Sequence, residues 1–343
     1  MRIGILSSGG DCPGINATIR GVGKTAIVHY GMEVVGIHNG FIGLLEKDVE
    51  SFEESSFSGI LNLGGTILGT SREKPFKKIL ENRENGDNSK PNIIKKNYDE
   101  LGLDCLVCIG GNGTQKTAAK LVELGLNVIG VPKTIDNDVW GTDITFGFDT
   151  AVNIATDAID RLHSTASSHK RAMVIELMGH EAGWITLHAG MAGGADIILL
   201  PELGYELNNL YDAIQHRTKK EKRYSIIAVA EGIKVPNGKR PAAYISQMIK
   251  ENTDLEARET VLGYIQRGGS PSPFDRNLAT RLGGHATELI ARKQFGQMVC
   301  LKGDKVSSTP LHEVAGKLRL VTPDHDLVVQ GRRMGISFGE KIS

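Results

Sequence analysis

The chain has 343 residues, a length typical of two domains at about 150 residues each. Lys and Arg together number 40, as do Asp and Glu, so the formal net charge is zero. This balance argues against a protein that coats nucleic acid or an anionic membrane, because those surfaces favour an excess of basic residues. Glycine is in excess: 42 of the 343 residues are glycine, which is about 12% against a background of about 7%. The rest of the composition is ordinary, which excludes a collagenous or disordered chain and predicts glycines that serve particular turns.

Neither a membrane span nor a disulfide framework is predicted. No stretch reaches the ~18 apolar residues of a span, and the apolar run Ile3–Leu6 is too short for a signal peptide. The few cysteines of this long chain predict a reducing, cytoplasmic setting. Cys105 and Cys108 form a CxxC, but their apolar surroundings indicate a buried strand, on which residues three apart face opposite ways. No second CxxC or histidine pair completes a metal site.

Apolar runs alternate along the chain with segments of helical spacing. Strands are predicted at 3–6, 33–38, 105–109, 128–131, 172–177, 197–200 and 225–230. Helices are predicted at 15–30, 115–124 and 182–191. The strands are nearly continuous apolar runs, as in parallel sheets that are covered on both faces. The repeated order of strand and helix predicts an α/β, doubly wound architecture.

Two polar segments interrupt this pattern. Residues 84–95 are polar and rich in turn formers, and they predict an exposed loop. Residues 217–223 hold five Lys or Arg around one Glu. That run is either a solvated surface or an anion-binding segment, and the sequence leaves the choice open.

Glycine-rich turns follow three of the predicted strands, at 8–11, at 110–114 and at Gly179. In open α/β sheets, ligands bind beyond the carboxyl ends of the strands. Glycine lets the backbone approach a phosphate, and the following helix N-terminus supplies N–H groups. The recurrence of such turns predicts a phosphorylated ligand.

Two segments resemble nucleotide-binding motifs, but each lacks a glycine that the full motif requires. Gly23-Lys24-Thr25 has the ending of a P-loop, yet Thr18 stands where its first glycine belongs, and the tripeptide lies inside a predicted helix. A dinucleotide fingerprint fails because Lys116 stands where the third glycine belongs. A nicotinamide-dependent oxidoreductase is therefore disfavoured.

An acidic cluster follows the predicted strand 128–131. Asp136 and Asp138 are two residues apart, so in an extended segment both carboxylates point to the same side. Beside a phosphate-binding turn, one could act as a base and the other lie near Mg²⁺ in phosphoryl transfer; the alternative is a turn rich in Asp and Asn. Arginines, whose guanidinium suits phosphate oxygens, lie near glycine-rich segments. They are Arg72, Arg171, Arg258 and Arg267.

Together these segments resemble the 6-phosphofructokinase family, and Pro132-Lys133-Thr134-Ile135-Asp136-Asn137-Asp138 is the most specific of them. The resemblance implies Mg²⁺-dependent phosphoryl transfer to the 1-hydroxyl of fructose 6-phosphate. It also implies two doubly wound α/β domains with mainly parallel sheets. The phosphoryl-donor domain is placed at 1–147 plus 266–316, and the sugar-phosphate domain at 148–265 plus 317–343. Neither nucleic acid nor a membrane is an expected partner.

Residue roles follow from the resemblance, position by position. Asp136 matches the general base and Asp138 its partner near the metal, while Thr134 contacts the transferred phosphoryl and Arg72 stabilises the transition state. Donor contacts are predicted for Gly10, Arg72, Gly113, Thr114 and Lys133. Substrate contacts are predicted for Thr134, Asp136, Asp138, Arg171, Met178, Gly179, His180, Glu231, Arg258, Tyr264 and Arg267. In the family, the arginines matching Arg171 and Arg258 reach the 6-phosphate across a subunit interface, which implies a homotetramer or homodimer with shared sites.

Several positions depart from the family pattern. Asn112 replaces an aspartate that coordinates Mg²⁺, so the metal site is predicted to be weakened. His180 stands where many members have arginine, Tyr264 where many have histidine, and Phe41 where tyrosine is frequent.

The phosphoryl donor depends on two positions. Pyrophosphate users generally carry aspartate where this chain has Gly113, and glycine leaves room for ATP. They also carry lysine at the position of Lys133, which this chain shares. Steric access outweighs the lysine, so ATP is the expected donor and pyrophosphate the alternative. A kinase for another sugar phosphate and a non-catalytic member, suggested by Asn112, remain further alternatives.

Weak or absent regulation is also predicted. Arg20 and Asp196 match the effector site of bacterial members, and Lys24 is a conservative change beside it. Glu54 and His163, however, stand where basic effector ligands usually lie. A glutamate there would repel a nucleoside diphosphate or phosphoenolpyruvate.

Overall fold

The computed structural model describes residues 1–77 and 89–340, and the chain divides into two compact units. Unit 1 comprises Met1–Thr134, Asp138–Gly147 and Arg267–Leu318. Unit 2 comprises Ile135–Asn137, Phe148–Gln266 and Arg319–Ser343. The chain therefore passes from one unit to the other several times, once within the acidic cluster.

The strands within the described ranges are β1 Arg2–Ser8, β2 Glu33–Ile37, β3 Val49–Phe52, β4 Cys105–Gly110, β5 Val128–Pro132, β6 Ala172–Leu177, β7 Ile197–Leu199, β8 Ser225–Ala230, β9 Ala257–Val261, β10 Gln297–Lys302 and β11 Lys305–Pro310. The α-helices there are α1 Ile15–Lys24, α2 Phe41–Glu46, α3 Lys90–Glu100, α4 Asn112–Glu123, α5 Phe148–His169, α6 Trp184–Ala192, α7 Leu207–Lys219, α8 Pro241–Asn252, α9 Pro273–Ala291, α10 Leu311–Val314 and α11 Asp326–Arg333. A π-helical turn spans Thr25–His29, and 3₁₀ turns span Glu54–Phe57 and Gly263–Arg267. None of the helices within the described ranges is long and apolar enough to cross a membrane.

Unit 1 is built on a seven-stranded sheet in the order β11-β10-β5-β4-β1-β2-β3. Its central strands are parallel, and antiparallel pairs form both edges. Ser8 pairs with Gly110, and Gly110 pairs with Pro132, so the carboxyl ends of β1, β4 and β5 are level. This register brings the turns that follow the three strands to one edge of the sheet.

Unit 2 is built on a four-stranded parallel sheet in the order β7-β8-β6-β9. Leu177 pairs with Ala230, so the ends of β6 and β8 are level as well. All residues of β8 and nearly all of β6 are buried, as expected for a sheet covered on both faces. The two sheets confirm the predicted α/β class with mainly parallel strands.

Helix α1 differs from the prediction of one helix over 15–30. It ends at Lys24, the π-helical turn continues it, and Gly31 follows with a φ of 61°. The P-loop imitation at Gly23 lies in this helix, as predicted. A Cβ on Gly23 would collide with the ring of Phe57, so packing explains this glycine.

The loop predicted over 84–95 is wrong from Lys90 onward, where α3 begins. Residues 84–88 of that prediction lie outside the described residues. Pro91 occupies the first turn of α3, where a backbone N–H has no partner within the helix, so the missing N–H of proline costs nothing. Ile94 and Tyr98, one and two turns further on, are buried and form the apolar face of the helix. Helical periodicity therefore overrides the polar composition.

The basic run at 217–223 is mostly exposed, but Arg217 is an exception. Its guanidinium lies 2.6 Å from the carboxylate of Asp196 and donates to the carbonyl of Tyr224 at 3.0 Å. Burial lowers the pKa of Arg217 and raises that of Asp196. This arginine therefore belongs to an internal ion pair of unit 2 and is not part of the solvated surface.

The cysteines confirm the buried-strand interpretation. Cys105 and Cys108 lie in β4, and every residue of that strand is buried. All four cysteines are free thiols. Burial raises the pKa of Cys12 to about 12, so this thiol stays protonated and unreactive.

Candidate active site

The turn after β1 and the loop that carries Arg72 are joined by backbone hydrogen bonds. The N–H of Gly9 donates to the carbonyl of Ser71 at 2.9 Å. The Thr70 hydroxyl donates in return to the carbonyl of Gly9 at 2.7 Å. Arg72 follows directly and is exposed. The structure therefore fixes the backbone on which this arginine stands while leaving its guanidinium open to a ligand.

The second glycine turn leads into α4, which begins earlier than predicted. Asn112 and Gly113 lie in its first turn, and Thr114 donates to the carbonyl of Ser8 at 3.3 Å. A Cβ on Gly110 would collide with Thr114, whereas a Cβ on Gly113 would meet no atom within 4 Å. Gly110 is thus required for packing. Gly113 instead borders open space at a helix N-terminus, where N–H groups favour an anion.

The segment after β5 brings further charged groups to the same edge of the sheet. Lys133 is buried, and its ammonium donates to the carbonyl of Gly10 in the turn after β1. The backbone of Thr134 is held by the Thr145 hydroxyl, which donates to the Thr134 carbonyl at 2.8 Å. The predicted donor residues Gly10 and Lys133, and Thr134, which is predicted to contact the transferred phosphoryl group, therefore lie on a largely buried framework.

Asn112 and Asp138 are hydrogen-bonded to each other. The Asn112 amide nitrogen lies 2.7 Å from Oδ2 of Asp138, and its amide oxygen is buried with no hydrogen-bond partner. An amide oxygen and a carboxylate are hard ligands of the kind that Mg²⁺ prefers. The departure at Asn112 therefore keeps an oxygen available and supplies a donor that holds Asp138 in place.

Arg267 also lies in unit 1, although the sequence predicts a sugar-phosphate contact for it. One guanidinium nitrogen donates to the carbonyl of Asp11 at 3.2 Å, and Nε is buried without a partner. A Cβ on Gly10 would lie 2.5 Å from this guanidinium. A side chain at position 10 would therefore displace the guanidinium of Arg267.

In unit 2, Asp136 is buried and is followed by a backbone in a rare conformation. Asn137 has a φ of 53°, which few residues other than glycine adopt. Its carbonyl accepts a hydrogen bond from Arg319 at 3.2 Å. The predicted general base, Asp136, therefore precedes a turn whose backbone is held by a hydrogen bond from Arg319.

The turn after β6 forms a small nest around Glu231. The N–H groups of Gly179 and His180 both donate to one carboxylate oxygen of Glu231, at 3.1 Å and 2.7 Å. Gly179 has a φ of 151° and His180 one of 54°, which turns the two N–H groups the same way. Met178 precedes them directly after β6. The structure thus brings four predicted sugar-phosphate residues together at the carboxyl ends of β6 and β8.

Arg171 and Arg258 lie elsewhere in unit 2. Arg171 immediately precedes β6, and Arg258 is the second residue of β9, so both are at the amino ends of their strands. At about 3.3 Å per residue, the length of β6 separates Arg171 from Met178 by roughly 20 Å. Within one chain, these arginines and the Glu231 nest cannot contact the same small sugar phosphate.

Both arginines are paired with Glu256. The Nε of Arg171 lies 2.6 Å from one oxygen of Glu256, and Arg258 pairs with the other. The hydrogen bond from Arg171 lowers the pKa of this carboxyl. Beyond the other end of β9, two large side chains are exposed: Tyr264 is 73% exposed and Ile265 67% exposed.

The family model for phosphofructokinase matches residues 2–290 of the chain. The chain belongs to the phosphofructokinase family. A relative from Bacteroides thetaiotaomicron, named ATP-dependent 6-phosphofructokinase 3, is 70% identical and covers 99% of this chain and 100% of its own. The ATP-dependent 6-phosphofructokinase of Spirochaeta thermophila is 53% identical and covers 99% of this chain and 98% of its own.

Solved phosphofructokinases share the fold. The Pichia pastoris phosphofructokinase in the T-state superposes with a TM-score of 0.83 at 30% identity over 91% of this chain, which spans only 35% of that longer chain. The pyrophosphate-dependent phosphofructokinase of Marinobacter aquaeolei superposes with a TM-score of 0.84 at 22% identity, covering 98% of this chain and 91% of its own. The latter identity supports similarity of fold alone.

Three residues that contact or support the predicted site residues had no signal in the sequence. Glu256 pairs with both phosphate-type arginines, Arg319 holds Asn137, and Glu202 accepts the N–H groups of Gly183 and Val321. Glu256 reaches Arg171 and Arg319 reaches Asn137 across long stretches of chain, and Glu202 binds backbone N–H groups. Motif spacing reports neither kind of contact.

Proposed function

We propose that this chain is an ATP-dependent 6-phosphofructokinase that transfers a phosphoryl group from ATP to the 1-hydroxyl of fructose 6-phosphate. The observation that carries the choice of donor is the open space beside Gly113 in the first turn of α4. An aspartate there would fill that space with negative charge, whereas glycine admits the α-phosphate of a nucleotide. The names of the relatives at 70% and 53% identity support the same donor.

Unit 1 is proposed to bind the donor phosphates. The first turn of α4, with Gly113 and Thr114, offers N–H groups to an anion. The buried ammonium of Lys133 and the exposed guanidinium of Arg72 supply positive charge at the same sheet edge. Gly10 has no side chain, so the backbone of the turn after β1 can lie close to a bound phosphate.

Mg²⁺ is the implied cofactor, and the residues present fit it. Asn112 and Asp138 would hold it, since the unpartnered amide oxygen of Asn112 and the carboxylate of Asp138 are suitable ligands. No cluster of three or more His, Cys, Asp or Glu residues within the described ranges forms a protein cage for a metal. Bound Mg²⁺ would neutralise charge on the transferring phosphoryl group.

Asp136 is proposed to accept the proton of the 1-hydroxyl as the oxygen attacks the γ-phosphorus of ATP. The oxygen–phosphorus bond to ADP breaks as the new bond forms, which gives fructose 1,6-bisphosphate and ADP. Thr134 and Arg72 would stabilise the charge that develops on the phosphoryl oxygens. Because Asp136 is buried, its interaction with the sugar hydroxyl is little screened by water.

The sugar phosphate is proposed to bind unit 2 of one copy and the arginines of another. Within a copy, Met178, Gly179, His180 and Glu231 stand at one end of β6, with Arg171 roughly 20 Å away at the other. Arg258 and Tyr264 lie on and beside the exposed edge strand β9. A homotetramer or homodimer that pairs these surfaces would complete each site with the arginines of a neighbour.

The cytoplasm is the proposed location of the enzyme. Four buried, unbridged cysteines are typical of proteins from reducing compartments. Fructose 6-phosphate and ATP are metabolites of the same compartment, which makes the location consistent with the proposed reaction.

The decisive experiment compares ATP with pyrophosphate, each with fructose 6-phosphate and Mg²⁺. We expect ATP to give a kcat/KM at least about 100-fold higher, because Gly113 leaves the nucleotide site open. Asp136→Asn should lower kcat by about 100-fold or more while the protein stays folded. Faster turnover of pyrophosphate would overturn the proposed donor. Full activity of the Asp136→Asn variant would overturn the proposed base.

A further inference from the structure

Arg319 lies between the Asn137 turn and the ring of Trp184. One guanidinium nitrogen of Arg319 donates to the carbonyl of Asn137 at 3.2 Å. The centre of the same guanidinium lies 3.9 Å from the centroid of the Trp184 ring. Stacking on a ring fixes the plane of a guanidinium, and with it the direction of its N–H groups.

Trp184 is itself locked in place. Its indole Nε1 donates to the carbonyl of Arg319 at 3.0 Å, so the two residues hold each other by a stack and by a hydrogen bond. The tryptophan is 3% exposed, and its ring contacts that of His325 edge to face at 5.1 Å between centroids. The ring is therefore a rigid platform for the arginine.

Glu202 fixes the backbone on both sides of this pair. One carboxylate oxygen accepts the N–H of Gly183 at 2.9 Å and that of Val321 at 3.0 Å. Gly183 precedes Trp184, and Val321 follows Arg319 by two residues. A single carboxylate thus joins the start of α6 to the segment that carries the arginine.

This arrangement holds the turn at Asn137. The backbone there is left-handed, with a φ of 53°, a conformation that is uncommon outside glycine and that asparagine tolerates better than most residues. Asp136 and Asp138 flank this residue in the chain. The Asn137 carbonyl belongs to the peptide that links Asn137 to Asp138, so a rotation of that peptide would shift the short segment that also carries Asp136. Small misplacements of a catalytic group are costly to rate.

We propose that Arg319 is a positioning residue: stacked on Trp184, it holds the Asn137 carbonyl and thereby orients Asp136 towards the sugar hydroxyl. The inference rests on the proposed function only for the role of Asp136. It assigns to Arg319 an effect on the chemical step and none on the affinity for ATP or fructose 6-phosphate. The pair acts through the backbone, so the side chain of Arg319 need not touch substrate.

The experiment measures kcat and KM for Arg319→Met, Arg319→Lys and a matched control in the full chain. We expect Arg319→Met to lower kcat about 10- to 100-fold and to change both KM values less than about threefold. Arg319→Lys retains a cation that can donate to the Asn137 carbonyl, so its kcat should lie between those of Arg319→Met and the unaltered protein.

Arg332 provides the control. It too donates to a backbone carbonyl, that of Pro323 at 2.7 Å, and it lies 5.8 Å from the centroid of the Phe338 ring. Its guanidinium also pairs with Glu340, and these hydrogen bonds lie away from the Asn137 turn, so Arg332→Met should leave kcat within about twofold. Equal kcat values for Arg319→Met and Arg332→Met would overturn the proposal. So would a raised KM with unchanged kcat, which would make Arg319 a ligand contact.

Trp184→Phe is the second variant and guards against a failure of Arg319→Met to fold. Phenylalanine keeps a ring under the guanidinium but removes the hydrogen bond to the Arg319 carbonyl. We expect a three- to tenfold lower kcat in a folded protein, and an unchanged kcat would contradict the proposal. Full activity of Asp136→Asn would instead show that the proposed base is wrong, whatever the Arg319 variants do.

Discussion

The amide nitrogen of Asn112 lies 2.7 Å from Oδ2 of Asp138, so a neutral donor stands where the family usually has a second carboxylate. With asparagine, the Asp138 carboxylate is satisfied by a hydrogen bond before any cation binds. With aspartate, two carboxylates would face each other, and one of them would require a proton or a metal ion. The residue at position 112 thus decides how strongly this edge of the sheet attracts Mg²⁺.

Asn112→Asp should therefore couple the stability of the protein to Mg²⁺. We expect the metal-free variant to be less stable than the unaltered protein by about 1–3 kcal/mol, because a donor is replaced by a like charge. Mg²⁺ should raise its unfolding midpoint more than that of the unaltered protein. Thermal unfolding across a Mg²⁺ titration measures both effects.

Asn153→Asp is the matched control for that experiment. Asn153 also donates to an aspartate, Asp149, at 3.2 Å, but on the exposed face of α5. Water screens the new charge there, so the change in stability should be under about 1 kcal/mol and independent of Mg²⁺. A Mg²⁺ response of Asn112→Asp no larger than that of Asn153→Asp would contradict the interpretation of the 112–138 pair.

Gly113→Asp tests the steric basis of donor choice. A Cβ at this position meets no atom within 4 Å, so the variant should fold and place its carboxylate in the open space. We expect kcat/KM for ATP to fall at least about 100-fold through exclusion and repulsion of the nucleotide, and KM for fructose 6-phosphate to change little. Gly113→Ala, which adds only a methyl group, separates the carboxylate from the loss of glycine and should lose less than about tenfold. Equal losses of kcat/KM in the two variants would show that neither the charge nor the size of an aspartate at position 113 decides the choice of donor.

The sequence was sufficient where one strand or one motif carries its own signal. The apolar runs of β1, β4, β5, β6 and β8 predicted parallel sheets, and the turns after them were expected to meet at sheet edges. β3, β9 and β11 were missed because they are edge strands with exposed polar residues, which lack the pattern of a buried strand. β10 was missed although its four central residues form a buried apolar run. Helix α3 was missed because Pro91 and its polar neighbours resemble a loop.

Interactions between distant residues could not be predicted in the same way. Arg319 and Asn137 are 182 residues apart, and the hydrogen bond between them uses a backbone carbonyl, which leaves no trace in composition. The position of Arg171 at the amino end of β6 likewise follows from strand direction. Only the structure reveals that Arg171 and the Glu231 nest lie at opposite ends of β6 within one chain.

Effector binding should be weak, because Lys24, Glu54, His163 and Asp196, which are four of the predicted effector positions, already have partners within their own unit. Lys24 lies 3.1 Å from the carboxylate of Glu54, and Asp196 pairs with Arg217. The Nε2–H of His163 donates to the carbonyl of Gly193 at 2.7 Å, and Nδ1 lies 3.3 Å from the Tyr224 hydroxyl. We expect hyperbolic saturation by fructose 6-phosphate that neither ADP nor phosphoenolpyruvate alters. Initial rates across sugar-phosphate concentrations check this, and a sigmoidal curve relieved by ADP would refute it.

His188 should make stability depend on pH. Burial, with smaller contributions from His325 and Arg319, lowers the pKa of His188 to about 4 from its usual value near 6.5. Between pH 6.5 and 4, His188 is therefore protonated in the unfolded chain but neutral in the folded chain. The stability that comes from keeping this ring neutral is fully present above pH 6.5, and it is lost as the pH falls towards 4. From pH 7.5 to 5.0 the expected loss from this group is about 2 kcal/mol.

Urea unfolding at pH 7.5 and 5.0 measures that loss in the unaltered protein and in His188→Gln. Glutamine does not titrate, so the variant should lose about 2 kcal/mol less between the two pH values, whatever its stability at pH 7.5. His216→Gln, which replaces an exposed histidine in the last turn of α7, is the matched control. The same pH dependence in all three proteins would mean that His188 is as free to take up a proton in the folded chain as in the unfolded one.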